Sequence, residues 1–155
     1  MATRSFNSFK SFGTHLFALA SEEHDVGAHL LAVIADHIEK DAKARFGEYQ
    51  SGWHALSDRT LEDKERLGYA PPDNPLLRTG ATRDSISHVL IYPEAVIGSP
   101  SMVMLYHELG TRLMTPRPVI GPAVQASRVF IENQVGVTLL AWLAGDGWKR
   151  QRAVP

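Results

Sequence analysis

The chain has no cysteine anywhere in its 155 residues. That excludes disulfide staples, thiolate zinc sites and cysteine nucleophiles in one step. Charge of either sign is not in excess: 16 Lys+Arg stand against 17 Asp+Glu, a formal net charge of -1. Proteins whose main task is wrapping nucleic acid carry a strong positive excess, so that task is not expected here. Long hydrophobic runs are also missing. The best candidate, Val135 to Ala144, falls short of the roughly 18–20 residues that a membrane span requires. Arg4, Lys10 and the segment Leu16-Phe17-Ala18-Leu19-Ala20-Ser21 loosely imitate a signal peptide, but Thr14 and His15 interrupt it and no leader is expected. Phosphate-cradling glycine loops and the G-x-S-x-G elbow do not occur.

What is present is the composition of a folded domain, 44% hydrophobic and 21% charged. The apolar spacing predicts a single domain spanning 1–155, in four stretches. Residues 1–47 read as N-terminal helices. Phe6 to Ala20 reads as a short extended entry and then a first helix, and a second is capped by Ser21 and carries one stripe through Val26, Leu30, Leu31, Val33, Ile34, Ile38, Ala42 and Phe46. Residues 48–79 are an irregular loop segment rich in Gly, Pro and Asn, with a short helix near Thr60–Arg66. In 80–144, Ser85–Tyr92 alternates and is β-branched, and Ala95–Gly98 returns after Pro93-Glu94, so a hairpin is expected. A helix opened by Ser99-Pro100 should run to Leu109 and stop at Gly110. Arg117–Ile120 reads as an edge strand, and one long C-terminal helix follows from Ala123 to Ala144. Residues 145–155 form a basic tail. The fold class is α+β: a small mixed or antiparallel sheet backed by two or three helices, with a long irregular insertion.

Candidate chemistry is sparse. His107-Glu108 begins like a zinc-protease helix, but position 111 is threonine where the second ligand would stand. A small metal-dependent hydrolase using His107 and Glu108 is therefore the weaker alternative. The helix histidines His24, His29 and His37 are not spaced i,i+3 or i,i+4, so no metal is expected. Trp53 and Leu56 are aromatic and apolar anchors in an otherwise aperiodic stretch. They suit the domain's own core and a protein–protein hot spot equally. Lys149, Arg150 and Arg152 read as a solvated tail or, repeated around a ring, as the lining of a DNA channel; a DNA-binding module using that tail is a further alternative. No catalytic residue and no cofactor are expected. The last helix has only Arg128 and Glu132 as charges between Ala123 and Ala144, so it needs cover on most sides.

Several short motifs occur in a telling order. Trp53-x-x-Leu56-Ser57-x-x-Thr60-x-x-x-Lys64 precedes Pro75-Leu76-Leu77-Arg78-Thr79-Gly80 and Asp84-Ser85-Ile86. Then come Val96-Ile97-Gly98-Ser99, Tyr106-His107-Glu108-Leu109-Gly110-Thr111, and Met114-Thr115-Pro116-Arg117-Pro118-Val119-Ile120-Gly121-Pro122-Ala123. From Trp53 to Ala126 this order resembles the tail-completion and head–tail joining proteins of tailed bacteriophages, including the virion morphogenesis proteins of Mu-like phages. Ala81-Thr82 and His107 depart from that pattern and leave the type of phage open.

The resemblance implies a small α+β protein that forms a ring, typically a hexamer, at the head-proximal end of the tail. It implies no enzyme activity and no cofactor. The partners it implies are further copies of the chain, the tail tube protein and the head–tail adaptor, with DNA as passing cargo and no membrane. The site would be the tail or neck of the virion, after assembly in the bacterial host cytoplasm. Interface residues expected on this reading are Trp53, Leu56, Glu108, Arg112 and Arg117. Glu108 is expected to pair with Arg112 or Arg117, within a subunit or across to a neighbour. The stretch Gly110–Pro118 is expected to be a stiff turn, because Gly110 permits positive φ and two prolines fix their own φ.

Overall fold

A computed structural model describes residues 4–145 and Trp148. In chain order the elements are α1 (Phe9–Ala44), α2 (Asp58–Arg66), α3 (Ala81–Asp84), β1 (Ser87–Ile91), β2 (Glu94–Gly98), α4 (Met102–Leu109), α5 (Ile120–Ala126) and α6 (Arg128–Ala144). Among the described residues this is six helices and one two-stranded antiparallel sheet, an α+β fold. The chain divides into two compact units. One holds residues 1–35, 90–95 and 128–155; the other holds 36–89 and 96–127.

Three expected boundaries are corrected. The two N-terminal helices are one helix of 36 residues, α1. Ser21 does not cap a second helix; its hydroxyl donates to the Ala18 carbonyl at 2.7 Å. A serine in mid-helix can satisfy itself on the preceding turn and leave the backbone ladder intact. The long C-terminal helix is two helices, α5 and α6, parted at Ser127. The Ser127 hydroxyl is buried and donates to the Ala123 carbonyl at 2.8 Å, the same carbonyl that accepts the Ser127 N–H at 3.0 Å. That doubled bond accompanies bends in helices. The edge strand at Arg117–Ile120 is absent. Val119 is the N-cap of α5 and Ile120 its first residue.

In the first unit, Val26 of α1, Ala141 of α6 and Trp148 form a buried cluster, with Trp142 packed against it. Trp148, assigned from sequence to the basic tail, is 5% exposed and donates its indole N–H to Glu22 at 3.1 Å. The hairpin turn rests on α1 through Tyr92. Its hydroxyl donates to Glu23 at 2.5 Å, and a Cβ on Gly27 would lie 2.5 Å from the Tyr92 ring, so a larger residue there would make that ring shift. The C-terminal carbonyls of α6 would otherwise lack partners. Arg4 donates to Ala144 at 3.0 Å, and the His15 ring meets Leu143 at 3.1 Å.

In the second unit the buried apolar residues include Ile38, Ala42, Phe46, Ile86, Met104, Val119 and Ala123. The outer face of α1 carries the expected i,i+4 pairs, Asp36–Lys40 at 2.6 Å and Glu39–Lys43 at 2.5 Å. The Lys43 ammonium, with help from His88, holds the Glu39 carboxyl below its usual range against the opposing effect of burial. The expected short helix in the irregular segment exists as α2. Its cap is Ser57, whose side chain accepts the Thr60 N–H at 3.4 Å.

Candidate functional site

The site is built on the corner that follows α4. Ser101 is the N-cap of α4, and the Ser99 hydroxyl expected to cap that helix accepts the Ser101 N–H at 3.0 Å. The helix ends at Gly110, with φ 75° and ψ 178°. That conformation belongs almost solely to glycine. A Cβ there would lie 3.0 Å from the Met114 carbonyl oxygen and from Pro116. Thr111 and Met114 then pair across a tight turn at 2.9 and 3.3 Å. The returning chain donates the Arg117 N–H to the His107 carbonyl at 2.7 Å. Pro116 and Pro118 flank that single bond and contribute no N–H of their own.

Glu108 closes the corner. One carboxylate oxygen accepts the Val119 and Ile120 N–H groups at 2.8 and 3.2 Å, and the other accepts the Gly121 N–H at 2.9 Å. This corrects the pairing expected with Arg112 or Arg117: within the chain, the carboxylate caps α5. Charge and donor geometry explain the preference. Free N–H groups at a helix start converge on one anion, and charge-assisted bonds are about twice as strong as neutral ones. Both Glu108 oxygens are thus committed to backbone.

Arg117 reaches the irregular segment and donates to the carbonyls of His54 and Ala55 at 2.9 and 3.3 Å. The segment is further held by Tyr49, which donates to Asp73 at 2.6 Å and accepts the Leu56 N–H at 3.1 Å. Burial, reinforced by Asp73, pushes the Tyr49 hydroxyl above its usual range, which keeps its proton in place. Trp53 and Leu56 are half-buried and Arg112 is exposed. Leu56 and Arg117 line one cavity of about 570 Å³. Lys149, Arg150 and Arg152 lie outside the described residues.

The same cavity contains a residue that sequence reading passed over. Lys64 of α2 is only 2% exposed, and its ammonium donates to the Asn74 carbonyl at 2.5 Å. Burial, then the nearby Arg78 guanidinium, holds it below the usual lysine range, with Asp73 opposing. In the sequence it stands out only as the last position of the Trp53–Lys64 motif, on a helix face shared with Thr60 and Leu61. His107 lines the cavity as well. Burial and then Arg117 lower its pKa, and its Nδ1 is buried with no hydrogen-bond partner. Among the described residues no group of three or more His, Asp or Glu is placed to hold a metal ion. No helix there is long and apolar enough to cross a membrane.

Comparison of the chain with protein-family models, with curated proteins and with solved structures finds no match in any of the three.

Proposed function

We propose that this chain is a structural virion protein that assembles into a ring at the head-proximal end of a phage tail, completes the tail and joins it to the head. The observation that carries the assembly reading is apolar surface left uncovered by the chain itself. Phe9 and Phe17 of α1, Ile91 of β1, and Leu140 and Leu143 of α6 are 90%, 78%, 65%, 63% and 54% exposed. Contiguous apolar surface is a mark of protein–protein contact, and Leu140 and Leu143 are neighbours on one face of α6. The hairpin adds to it. A two-stranded sheet is marginal alone, and its outer edges offer unpaired backbone groups to a neighbour. The ordered motifs from Trp53 to Ala126 supply the identity of the assembly, and the stiff corner supplies a surface that loses little entropy on docking. Copies joined head to tail close into a ring, and a hexamer is the expected closure. The tail tube and the head–tail adaptor would be its neighbours, and DNA would pass through as cargo. On this reading the protein performs no catalysis.

The test pairs native mass measurement of the purified chain with imaging of particles that carry it. The expected result is a ring of copies at the tail's head-proximal end, formed in solution or on contact with the tail. Particles in which the chain is absent from the neck, together with a monomer at every concentration, would overturn the reading.

A further inference from the structure

We propose that the cavity formed by α2, the Asn74–Thr82 segment and the corner after α4 binds an oxyanion group, a carboxylate or a phosphate, borne on an apolar body. Leu56, Arg117 and the corner also figure in the assembly reading, but the case for this cavity does not rest on that reading.

Charge is the first argument. Lys64, Arg78 and Arg117 line the cavity, and no Asp or Glu is among its lining residues. Arg78 has an ion-pair partner in Asp63 at 2.9 Å, but Asp63 is not part of the wall. Arg117 spends its donors on two backbone carbonyls, and Lys64 on one. Neutral carbonyls do not cancel the two charges, and Asp73, which partly offsets that of Lys64, is not part of the wall. A cleft lined by one sign of charge concentrates ligands of the other.

Unspent donors are the second argument. An ammonium has three N–H groups, and the Lys64 ammonium meets one acceptor among the described residues. A buried cation held this way is costly, since desolvation is not recovered. Arg117 Nε is also buried without a partner. Two cationic side chains of the same wall thus carry hydrogen-bonding capacity beyond what the chain satisfies. An oxyanion drawn into the cavity has the charge to answer these cations, the exposed Arg78 guanidinium being its first contact and the buried donors being reached only by a shift of side chains.

Shape is the third. About 570 Å³ lies within the range of small-ligand sites. Leu77, Val103 and Met114 contribute apolar wall, which favours a ligand with an apolar body behind its charged head.

Calorimetric and amide-shift titrations of the full chain at constant ionic strength test this with three probes: sodium octanoate, octanol and inorganic phosphate. Octanoate is expected to bind with a Kd of about 1 mM or tighter, and at least about tenfold more tightly than octanol, because the head charge is the selected feature. Binding of phosphate but not octanoate assigns the head to phosphate; binding of octanoate alone assigns it to carboxylate. Lys64→Met should weaken the bound anion at least about tenfold. Should that variant fail to fold, Arg78→Gln serves, since its side chain is 47% exposed and the same loss of affinity is expected in direction. Octanol binding as tightly as octanoate, neither anion binding, or anion affinity unchanged in the folded variants would overturn the proposal.

Discussion

The corner from Gly110 to Gly121 and the last helix, α6, deal with their unsatisfied groups in opposite ways. In the corner the backbone's polar demands are met inside the chain, although Arg117 Nε stays buried without a partner among the described residues. Glu108 answers three N–H groups of α5, Arg117 answers two carbonyls of the irregular segment, and the Arg117 N–H answers His107. Helix α6 does the reverse. Its buried face includes the polar side chains of Gln134 and Thr138, while Val129, Leu139, Leu140 and Leu143 face outward. The corner's shape is therefore determined by one copy of the chain; on the proposed assembly reading the environment of α6 is not. A protein that works by assembly needs both: a surface shaped in advance, and apolar area whose burial supplies the driving force.

Breaking the corner should cost the most stability. Gly110→Ala places a Cβ 3.0 Å from the Met114 carbonyl at a φ and ψ that alanine avoids. A loss of about 3 kcal/mol is expected, read as a drop in denaturation midpoint. Glu108→Ala should follow at about 2 kcal/mol, because it removes a charged cap and leaves three N–H groups to find water. If Glu108→Ala were silent while Arg112→Ala was costly, the cap would have to be replaced by the ion pair that the sequence suggested.

How far these features were legible in the sequence differs by region for physical reasons. The Gly110 stop and the stiff turn could be read because glycine and proline act on their own backbone, whatever surrounds them. The hairpin was legible because two short runs of strand formers, Val89-Leu90-Ile91 and Ala95-Val96-Ile97, bracket the turn residues Pro93-Glu94. The role of Glu108 was hidden, since its partners lie 11 to 13 residues ahead and are backbone atoms that every sequence offers. Arg117–Ile120 misled for a related reason: β-branched residues beside proline read as extended, while the carboxylate of Glu108 starts a helix there. Ser21 misled because a capping residue type and a tolerated mid-helix residue look alike until the next turn is built. Lys64 could be read only as the end of the Trp53–Lys64 motif, because a lysine in Asp58–Arg66, among so many charges, gives no sign of being buried.

A gentler probe of the corner is pH. Burial and Arg117 lower the His107 pKa below its unfolded value of about 6.5. The unfolded chain therefore takes up a proton more readily than the folded one. Stability from this group is fully present above that unfolded value and is lost as pH falls toward and through the folded pKa. Glu39, Asp63 and Asp84, all held low by cationic neighbours, lose their contributions only further down, as pH falls below the unfolded carboxylate range. Denaturant midpoints between pH 7 and 5 should thus fall in the native chain and fall less in His107→Gln. Equal slopes in both would show that the imidazole is not shielded as the corner requires.

The smallest effect on the chain itself should come from the opposite region. Leu140 of α6 is 63% exposed, so Leu140→Glu removes little buried apolar area and leaves the helix a good helix former. Its cost to the isolated chain should be within about 0.5 kcal/mol. Its effect on assembly should be far larger, because a carboxylate placed in an apolar interface must be desolvated without a partner. Sedimentation of the native chain and of Leu140→Glu, each at matched concentration and with tails present, separates the two quantities. Unchanged stability with lost assembly is the expected result. Lost stability with unchanged assembly would mean that α6 is covered by its own chain, and that the contrast with the corner is false.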